Sequence, residues 1–422
     1  MERPGPRPGK RFVFVLCDGL GDRPLEPLGG KTPLEAAETP NLDEIARLGV
    51  SGIMDPIKPG VRPGTDVGTL ANLGYDPYAY YRGRGPIEAA GVGIKLRPGD
   101  VALRGNFATI DDRWIVIDRR AGRIREGTRE LAEALSERVK IPGVEVLFKE
   151  ATEHRLVVVI RGEGLSDKIS DSDPGATHEG EPVRRVEPLD DTPEAARTAE
   201  IVNEMLRQAH EILKDHPVNV GRVKRGLLPA NAIITRGAGM VPDIPPIGSL
   251  YGVRGFCVAG ESTIVGIARM VGMDATIPPG ATGNIDTDTI KKAEVALEAL
   301  KKGYDFVLIS VKGPDIAGHD GNIEGKMEII RKIDAMVGRL LDEVSPDDTY
   351  IALSADHSTP CSVGDHTADP VPVAIAGPGV RVDDVTRYGE RDAAKGGLGR
   401  IRGVDLVPIV MDLMFRTKKY GA

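Results

Sequence analysis

Cysteine is nearly absent from this chain of 422 residues: Cys17, Cys257 and Cys361 are the only three. They lie too far apart for any CxxC pair and their number is odd, which excludes a disulfide scaffold and points to a reducing, cytoplasmic setting. Long apolar runs are missing too. Nothing approaches the roughly 20 residues needed to cross a bilayer. The run Phe12 to Cys17 stops at Asp18, and the stretch ahead of it, Met1 to Arg11, is basic and rich in Pro and Gly. Neither reads as a signal peptide or a membrane anchor. Positive charge is not in excess: the formal net charge is −8, and Lys291-Lys292, Lys301-Lys302 and Lys418-Lys419 are isolated doublets. A nucleic-acid binder with a basic face is therefore disfavoured. No repeat of 20–50 residues is visible. Histidine is scarce as well, with seven in all, so their positions carry information.

What is present is a globular composition, 41% hydrophobic and 28% charged, long enough for two to three domains. Phe12 to Cys17 reads as a buried strand ending at Asp18-Gly19-Leu20-Gly21-Asp22. A continuous apolar strand belongs in a parallel sheet covered on both faces, with chemistry at its C-terminal end. From Thr39 to Gly49 the grammar is helical: Thr39 to cap, Pro40 at the first position, Leu42, Ile45 and Leu48 in period, Gly49 to close. The last third alternates in the same way. Helices are expected over Ile290 to Lys302, Ile323 to Val344 and Val404 to Leu413, and strands over Tyr304 to Val311, Thr349 to Ser354 and Pro372 to Ala376. The fold class is α/β, a doubly wound, mostly parallel sheet. The middle differs. Short strands at Trp114 to Ile117 and Leu156 to Ile160 mix with helices at Arg129 to Glu137 and Pro193 to Leu213, around a polar loop, Ser166 to Glu181. This reads as a smaller α+β domain over 81–249, inserted into a core formed by 1–80 and 250–422.

Three of the seven histidines fall near the C-terminus, beside carboxylates at expected strand ends: Asp315 with His319, Asp356-His357, and Asp365-His366. Asp18 ends the first strand. Parallel strands bring such ends to one edge of the sheet. A lone His near an Asp is usually an ordinary hydrogen-bonded pair, but three such pairs at strand ends argue for a metal centre. Imidazole with carboxylate suits Mn²⁺, Zn²⁺ or Co²⁺, with Mg²⁺ also accepted, and the donors outnumber what one tetrahedral ion needs, so two divalent ions fit. Arg62-Pro63-Gly64-Thr65-Asp66 sets a hydroxyl at the start of a helix, where free N–H groups favour phosphate. Thr65 reads as a metal-activated nucleophile or, taken alone, as an N-cap, and Thr69 is a second hydroxyl one turn later. Gly29-Gly30-Lys31-Thr32 lacks the first glycine of a P-loop, and Gly396 to Gly399 misses the GxGxxG spacing.

The segments around Asp18, Thr65, Asp315 with His319, Asp356-His357 and His366-Thr-x-x-Pro-Val-Pro resemble the alkaline phosphatase superfamily, and within it the archaeal-type, cofactor-independent phosphoglycerate mutases. The resemblance runs over nearly the whole chain and includes Gly74-Tyr75-Asp76-Pro77, Gly83 to Gly91 and Arg104 to Phe107. It implies an alkaline phosphatase-like core and interconversion of 3- and 2-phosphoglycerate with no bisphosphoglycerate. One ion would be held by Asp315, His319 and His366, and the other by Asp18, Asp356, His357 and Thr65. The family's nucleophile is usually Ser, so a phosphothreonine would form here. The inserted domain would hold glycerate and close as a lid. Arginine forks suited to that anion are Arg119, Arg120, Arg123 and Arg236, each equally readable as a solvated surface residue, with His154 a weaker candidate. His210 and His216 read as structural, and His178 has no assigned role. A metal-dependent phosphomonoesterase or phosphopentomutase is the alternative, because the metal motifs are shared. The expected partner is a small-molecule substrate, with a homo-oligomer compatible and neither nucleic acid nor membrane involved.

Overall fold

Phe12 to Cys17 are buried on all sides because their strand, Arg11–Cys17, lies inside an eight-stranded sheet in the computed structural model, which describes residues 10–175 and 179–421. His178 falls outside the described residues. The sheet order is Gly399–Arg402, Gly49–Asp55, Val371–Ala376, Thr349–Ser354, Arg11–Cys17, Phe306–Val311, Gly255–Val258, Asp274–Thr276. Only the two pairings of Val371–Ala376 are antiparallel. The strands are almost wholly apolar, as sheets covered on both faces require. The register sets Cys17 against Val311 and Leu16 against Ser354. Asp18, Lys312 and the Ala355-Asp356-His357 segment therefore leave the sheet together at one edge.

Two local features seat the site. Helix Thr65–Asn72 presses against the Asp356 segment: a Cβ on Gly68 would come 2.3 Å from the Asp356 carbonyl oxygen, so glycine is required there by contact. Asn72 Nδ2 donates to the Ala355 carbonyl at 3.0 Å and fixes the same approach. Helix Gly313–His319 follows its strand directly and carries Asp315 and His319 one turn apart on one face. Helix Pro40–Arg47 forms with Pro40 in its first turn, but the Thr39 side chain does not cap it. Asp334 of helix Ile323–Leu341 accepts from Asn41 N at 2.8 Å and Leu42 N at 2.9 Å instead, a tertiary cap no local signal announces.

By contacts the chain divides into two units, Met1–Tyr81 with Ile244–Ala422, and Arg82–Asp243. The second holds an antiparallel sheet of five strands, Val116–Asp118, Val101–Ile110, Arg155–Arg161 and Glu145–Glu150, with Ala232–Met240 also pairing to Val101–Ile110. One face packs Val101, Leu103, Phe107, Val158 and Ile160 against Leu131, Leu135, Val202 and Met205, from helices Thr128–Arg138 and Pro193–Leu213. On the other face Ala102, Val157 and Val159 lie under Ala89 of helix Arg84–Gly91. Sequence reading missed the ten-residue strand Val101–Ile110. Its alternation places Arg104 and Asn106 opposite Leu103 and Phe107, so it lacks a plain apolar run. The strand expected at Trp114 begins only at Val116, because Trp114 sits in a turn with φ of 62°.

Candidate active site

Each of the three clustered histidines is tethered through one ring nitrogen and presents the other to acids. His319 Nδ1 meets the Gly364 carbonyl at 2.9 Å, and His366 Nδ1 meets the Pro63 carbonyl at 2.9 Å. A carbonyl only accepts, so both Nδ1 atoms carry hydrogen. Their Nε2 atoms then face the Asp315 Oδ1 carboxylate oxygen at 3.4 and 3.3 Å. Lone pair against carboxylate is repulsive unless a cation lies among them. His357 Nδ1 contacts Thr359 Oγ1 at 3.0 Å, and its Nε2 faces Asp18 Oδ1 at 3.3 Å, Asp356 Oδ2 at 3.5 Å and Thr65 Oγ1 at 3.1 Å. The His357 and His366 rings stack at 3.6 Å between centroids.

The acids make the same case. Asp18 Oδ1 and Asp356 Oδ2 are buried without any hydrogen bond, a state that costs on the order of 1–3 kcal/mol per polar group. Burial, with Asp18 alongside, pushes the Asp356 carboxyl well above the usual carboxylate range. Burial also works upward on Asp315, but the neighbouring His366, Lys312 and His357 groups outweigh this and hold it low. Asp315, His319 and His366 bring donor atoms within 4.8 Å of one another, and so do Asp18, Asp315 and His357. Asp315 is thus common to both groups, whereas the resemblance implied Asp356 in the second. Asp356 Oδ2 faces the same His357 Nε2 at 3.5 Å, while its Oδ1 accepts from Gly19 N at 3.2 Å. This donor set and its unpartnered oxygens suit divalent cations.

Lys312 is the residue that sequence reading missed. Its Nζ lies 2.9 Å from Asp315 Oδ2, 3.2 Å from Asp18 Oδ2, 3.9 Å from Glu261 Oε1 and 3.5 Å from Thr65 Oγ1. Burial disfavours its charge, yet Asp18, Glu261 and Asp315 overcome that and raise its pKa, so it remains an ammonium. The available signal was a lysine directly after a fully apolar strand and directly before Gly313-Pro314-Asp315. Thr65 is the first residue of its helix, with Gly64 at the cap position, so its hydroxyl is not spent on capping. Thr69, the alternative hydroxyl, is fully buried and unpartnered.

In the second unit the arginines gather on the sheet face opposite its main core. Arg104 and Arg236 pair directly across strands. Burial, with Arg236 and Arg84 nearby, lowers the Arg104 pKa despite Glu88, whose Oε1 is 2.7 Å away. Arg119 does not stand open: it is buried and its Nε donates to Asp173 at 2.8 Å. Arg236 Nε lies 3.9 Å from the same carboxylate and keeps 39% of its side chain exposed. His154 is buried, its Nδ1 has no hydrogen bond, and burial together with Arg155, Arg120 and Arg123 lowers its pKa. Arg84 and Arg104 belong to segments that carried the family resemblance but were not singled out as anion holders. Their grouping with Arg236 depends on strand pairing, which sequence spacing does not reveal. His210 Nδ1 contacts the Asn231 carbonyl at 2.9 Å and His216 caps helix Pro217–Lys224, both structural positions.

The model of the family described as 2,3-bisphosphoglycerate-independent phosphoglycerate mutase matches residues 46–219. A protein of that name from Methanosphaera stadtmanae is 54% identical over 414 residues, covering 98% of this chain and 100% of the relative. Another from Methanothermobacter thermautotrophicus is 52% identical over 413 residues, covering 97% and 99%. Among solved structures, a protein of Pyrococcus horikoshii aligns with a TM-score of 0.81 and 41% identity, covering 98% of this chain and 100% of that one. A cofactor-independent phosphoglycerate mutase from Thermoplasma acidophilum aligns with a TM-score of 0.76 and 39% identity, covering 96% and 100%.

Proposed function

The chain belongs to the 2,3-bisphosphoglycerate-independent phosphoglycerate mutases, and from that premise we propose that it moves phosphate between the 3- and 2-oxygens of glycerate through Thr65. The enzyme interconverts 3-phosphoglycerate and 2-phosphoglycerate. Thr65 Oγ1 attacks phosphorus, the bond to the glycerate 3-oxygen breaks, and that oxygen takes the proton Thr65 gives up. Phosphothreonine and free glycerate result. The glycerate turns, its 2-hydroxyl attacks the phosphothreonine, and the proton returns to Thr65.

The single observation that carries this reading is the position of Thr65 Oγ1, 3.1 Å from His357 Nε2 and 3.5 Å from the Lys312 ammonium. Lys312 faces the transferring phosphoryl oxygens and offsets their charge. Asp315, His319 and His366 hold one divalent ion, and Asp18 with His357 the other, with Asp315 or Asp356 completing the second set. When bound, such ions lower the pKa of the hydroxyl and neutralise phosphoryl charge; Mn²⁺, Zn²⁺ and Co²⁺ suit these donors, and Mg²⁺ suits the carboxylates. Arg236 and Arg104 hold the glycerate carboxylate and hydroxyls as planar forks. Arg120, Arg123 and the neutral His154 form a second polar group on the same unit. Arg119 acts one step back, holding Asp173.

Phosphorus NMR on purified enzyme given 3-phosphoglycerate and Mn²⁺, without bisphosphoglycerate, tests this. The 2-phosphoglycerate resonance should grow to equilibrium. Inorganic phosphate as the main product would instead mark a phosphomonoesterase.

A further inference from the structure

On the helix that follows Asp315 and His319 lies a lysine with no exposed surface, Lys326. Its Nζ donates to three oxygens: the Thr359 carbonyl at 2.8 Å, Asp22 Oδ2 at 2.9 Å and the Gly21 carbonyl at 3.2 Å. The Asp22 side chain is equally buried. Asp22 also accepts from Cys361 N, at 3.1 Å to Oδ2. A buried ion pair of this kind is close to break-even for stability, since desolvation cancels most of the attraction. Its value lies in what it joins.

Three backbone segments meet at this ammonium, and each carries site residues. Gly21 and Asp22 end the loop that begins at Asp18. Thr359 lies two residues beyond His357, and its hydroxyl donates to Asp315 Oδ1 at 2.8 Å. Thr359 N also donates to the Gly21 carbonyl at 3.0 Å. The third segment is the chain of Lys326 itself, where Asn322 N closes on the Ala317 carbonyl at 2.8 Å, directly after the helix bearing Asp315 and His319. Among the described residues the Lys326 amine bonds to one side chain, Asp22, and to two backbone carbonyls.

We propose that Lys326 and Asp22 form a positioning pair that sets the spacing of the Asp18 loop and the His357–Thr359 segment, and through it the affinity for the ion taken by Asp18 and His357. The proposal rests on the metal-holding reading above. Outer partners of metal ligands typically govern about 10- to 100-fold in affinity. Lys326 does not contact substrate, so it should leave KM for phosphoglycerate untouched once ions are saturating.

The test is direct Mn²⁺ titration of the full chain, wild type beside Lys326→Met and the Asp22→Asn/Lys326→Met double variant, with a thermal melt of each in ion-free buffer. The double variant removes both charges and keeps the volume, so it decides the matter if the single variant does not fold. The expected result is one Mn²⁺ site weakened about 10- to 100-fold in a folded variant, the other within about threefold of wild type. Activity should return at high Mn²⁺ with KM unchanged. A folded variant that binds both ions as tightly as wild type overturns the positioning role while leaving the metal reading intact. Equal loss at both sites, in step with a collapsed ion-free melt, overturns it in favour of a purely structural lysine. A wild type that binds no Mn²⁺ overturns the metal reading itself.

Discussion

The two units handle buried charge in opposite ways. In the first, carboxylates crowd at the end of a parallel sheet, and two of their oxygens, on Asp18 and Asp356, have no hydrogen bond. In the second, the buried acids are met by arginine: Asp173 by Arg119 and Asp100 by Arg161, with Nε to Asp173 Oδ1 at 2.8 Å and Nη2 to Asp100 Oδ2 at 2.8 Å. No carboxylate oxygen there is buried and unpartnered among the described residues. Arg104 there is met by Glu88 at 2.7 Å, and Arg236, 3.9 Å from Asp173, keeps 39% of its side chain exposed. The first unit leaves buried carboxylate oxygens without a partner, and the second meets its buried acids with arginine.

Breaking the first unit's chemistry should give the largest effect. Thr65→Ala should cost about 10⁴-fold or more in kcat, the scale seen when a nucleophile is removed from a working site, with the melting profile retained. Next comes removal of ions. Chelation should withdraw on the order of 2.7–4.1 kcal/mol of linked stability, as for a ligand at about 100 to 1,000 times its Kd. The loss should be confined to one unit: hydrogen exchange should quicken at 18–22, 313–319 and 356–366 and stay unchanged at 101–110 and 155–161. Equal quickening in both would break the contrast. On the cationic side, Arg236→Met should raise KM for 3-phosphoglycerate by roughly 10- to 100-fold, the loss of one charge-assisted fork, with a smaller change in kcat.

The smallest effect concerns Glu390, whose Oε2 accepts from Thr32 Oγ1 at 2.7 Å and whose Oε1 accepts from Asp22 N at 3.3 Å. Burial raises its pKa from 4.5 to about 7. The folded state therefore holds this proton more tightly than the unfolded chain does. The resulting stabilisation is complete below about pH 4.5 and is lost as pH climbs through 7. Glu390→Gln should flatten the fall in stability between pH 5 and 8, gaining about 1–3 kcal/mol over wild type at pH 8 in urea melts.

How much of this was legible depends on whether a residue's partners are local. Asp18, Asp356-His357 and Asp315 with His319 each sit at the end of a strand or on one helical turn, so short motifs and a parallel-sheet assumption brought them to one edge. Lys312 needed more, because its role comes from the register of Arg11–Cys17 against Phe306–Val311, which sets its amine between Asp18 and Asp315. Arg104 needed antiparallel pairing with Arg236. Arg119 shows the reverse: nothing in Asp118-Arg119-Arg120 reveals that Asp173 already holds it. Asp356 marks the finest limit. Its position beside His357 was plain, but whether it or Asp315 joins Asp18 and His357 turns on distances of a few ångströms.

The central claim is that phosphate passes through Thr65, and rapid-quench mass spectrometry of the enzyme turning over 3-phosphoglycerate tests it most directly. A transient phosphate is expected on the peptide containing Thr65, localised by fragmentation to that residue and absent from Thr65→Ala. Phosphate on Thr69, or on any other side chain, with Thr65→Ala still turning over, would contradict it.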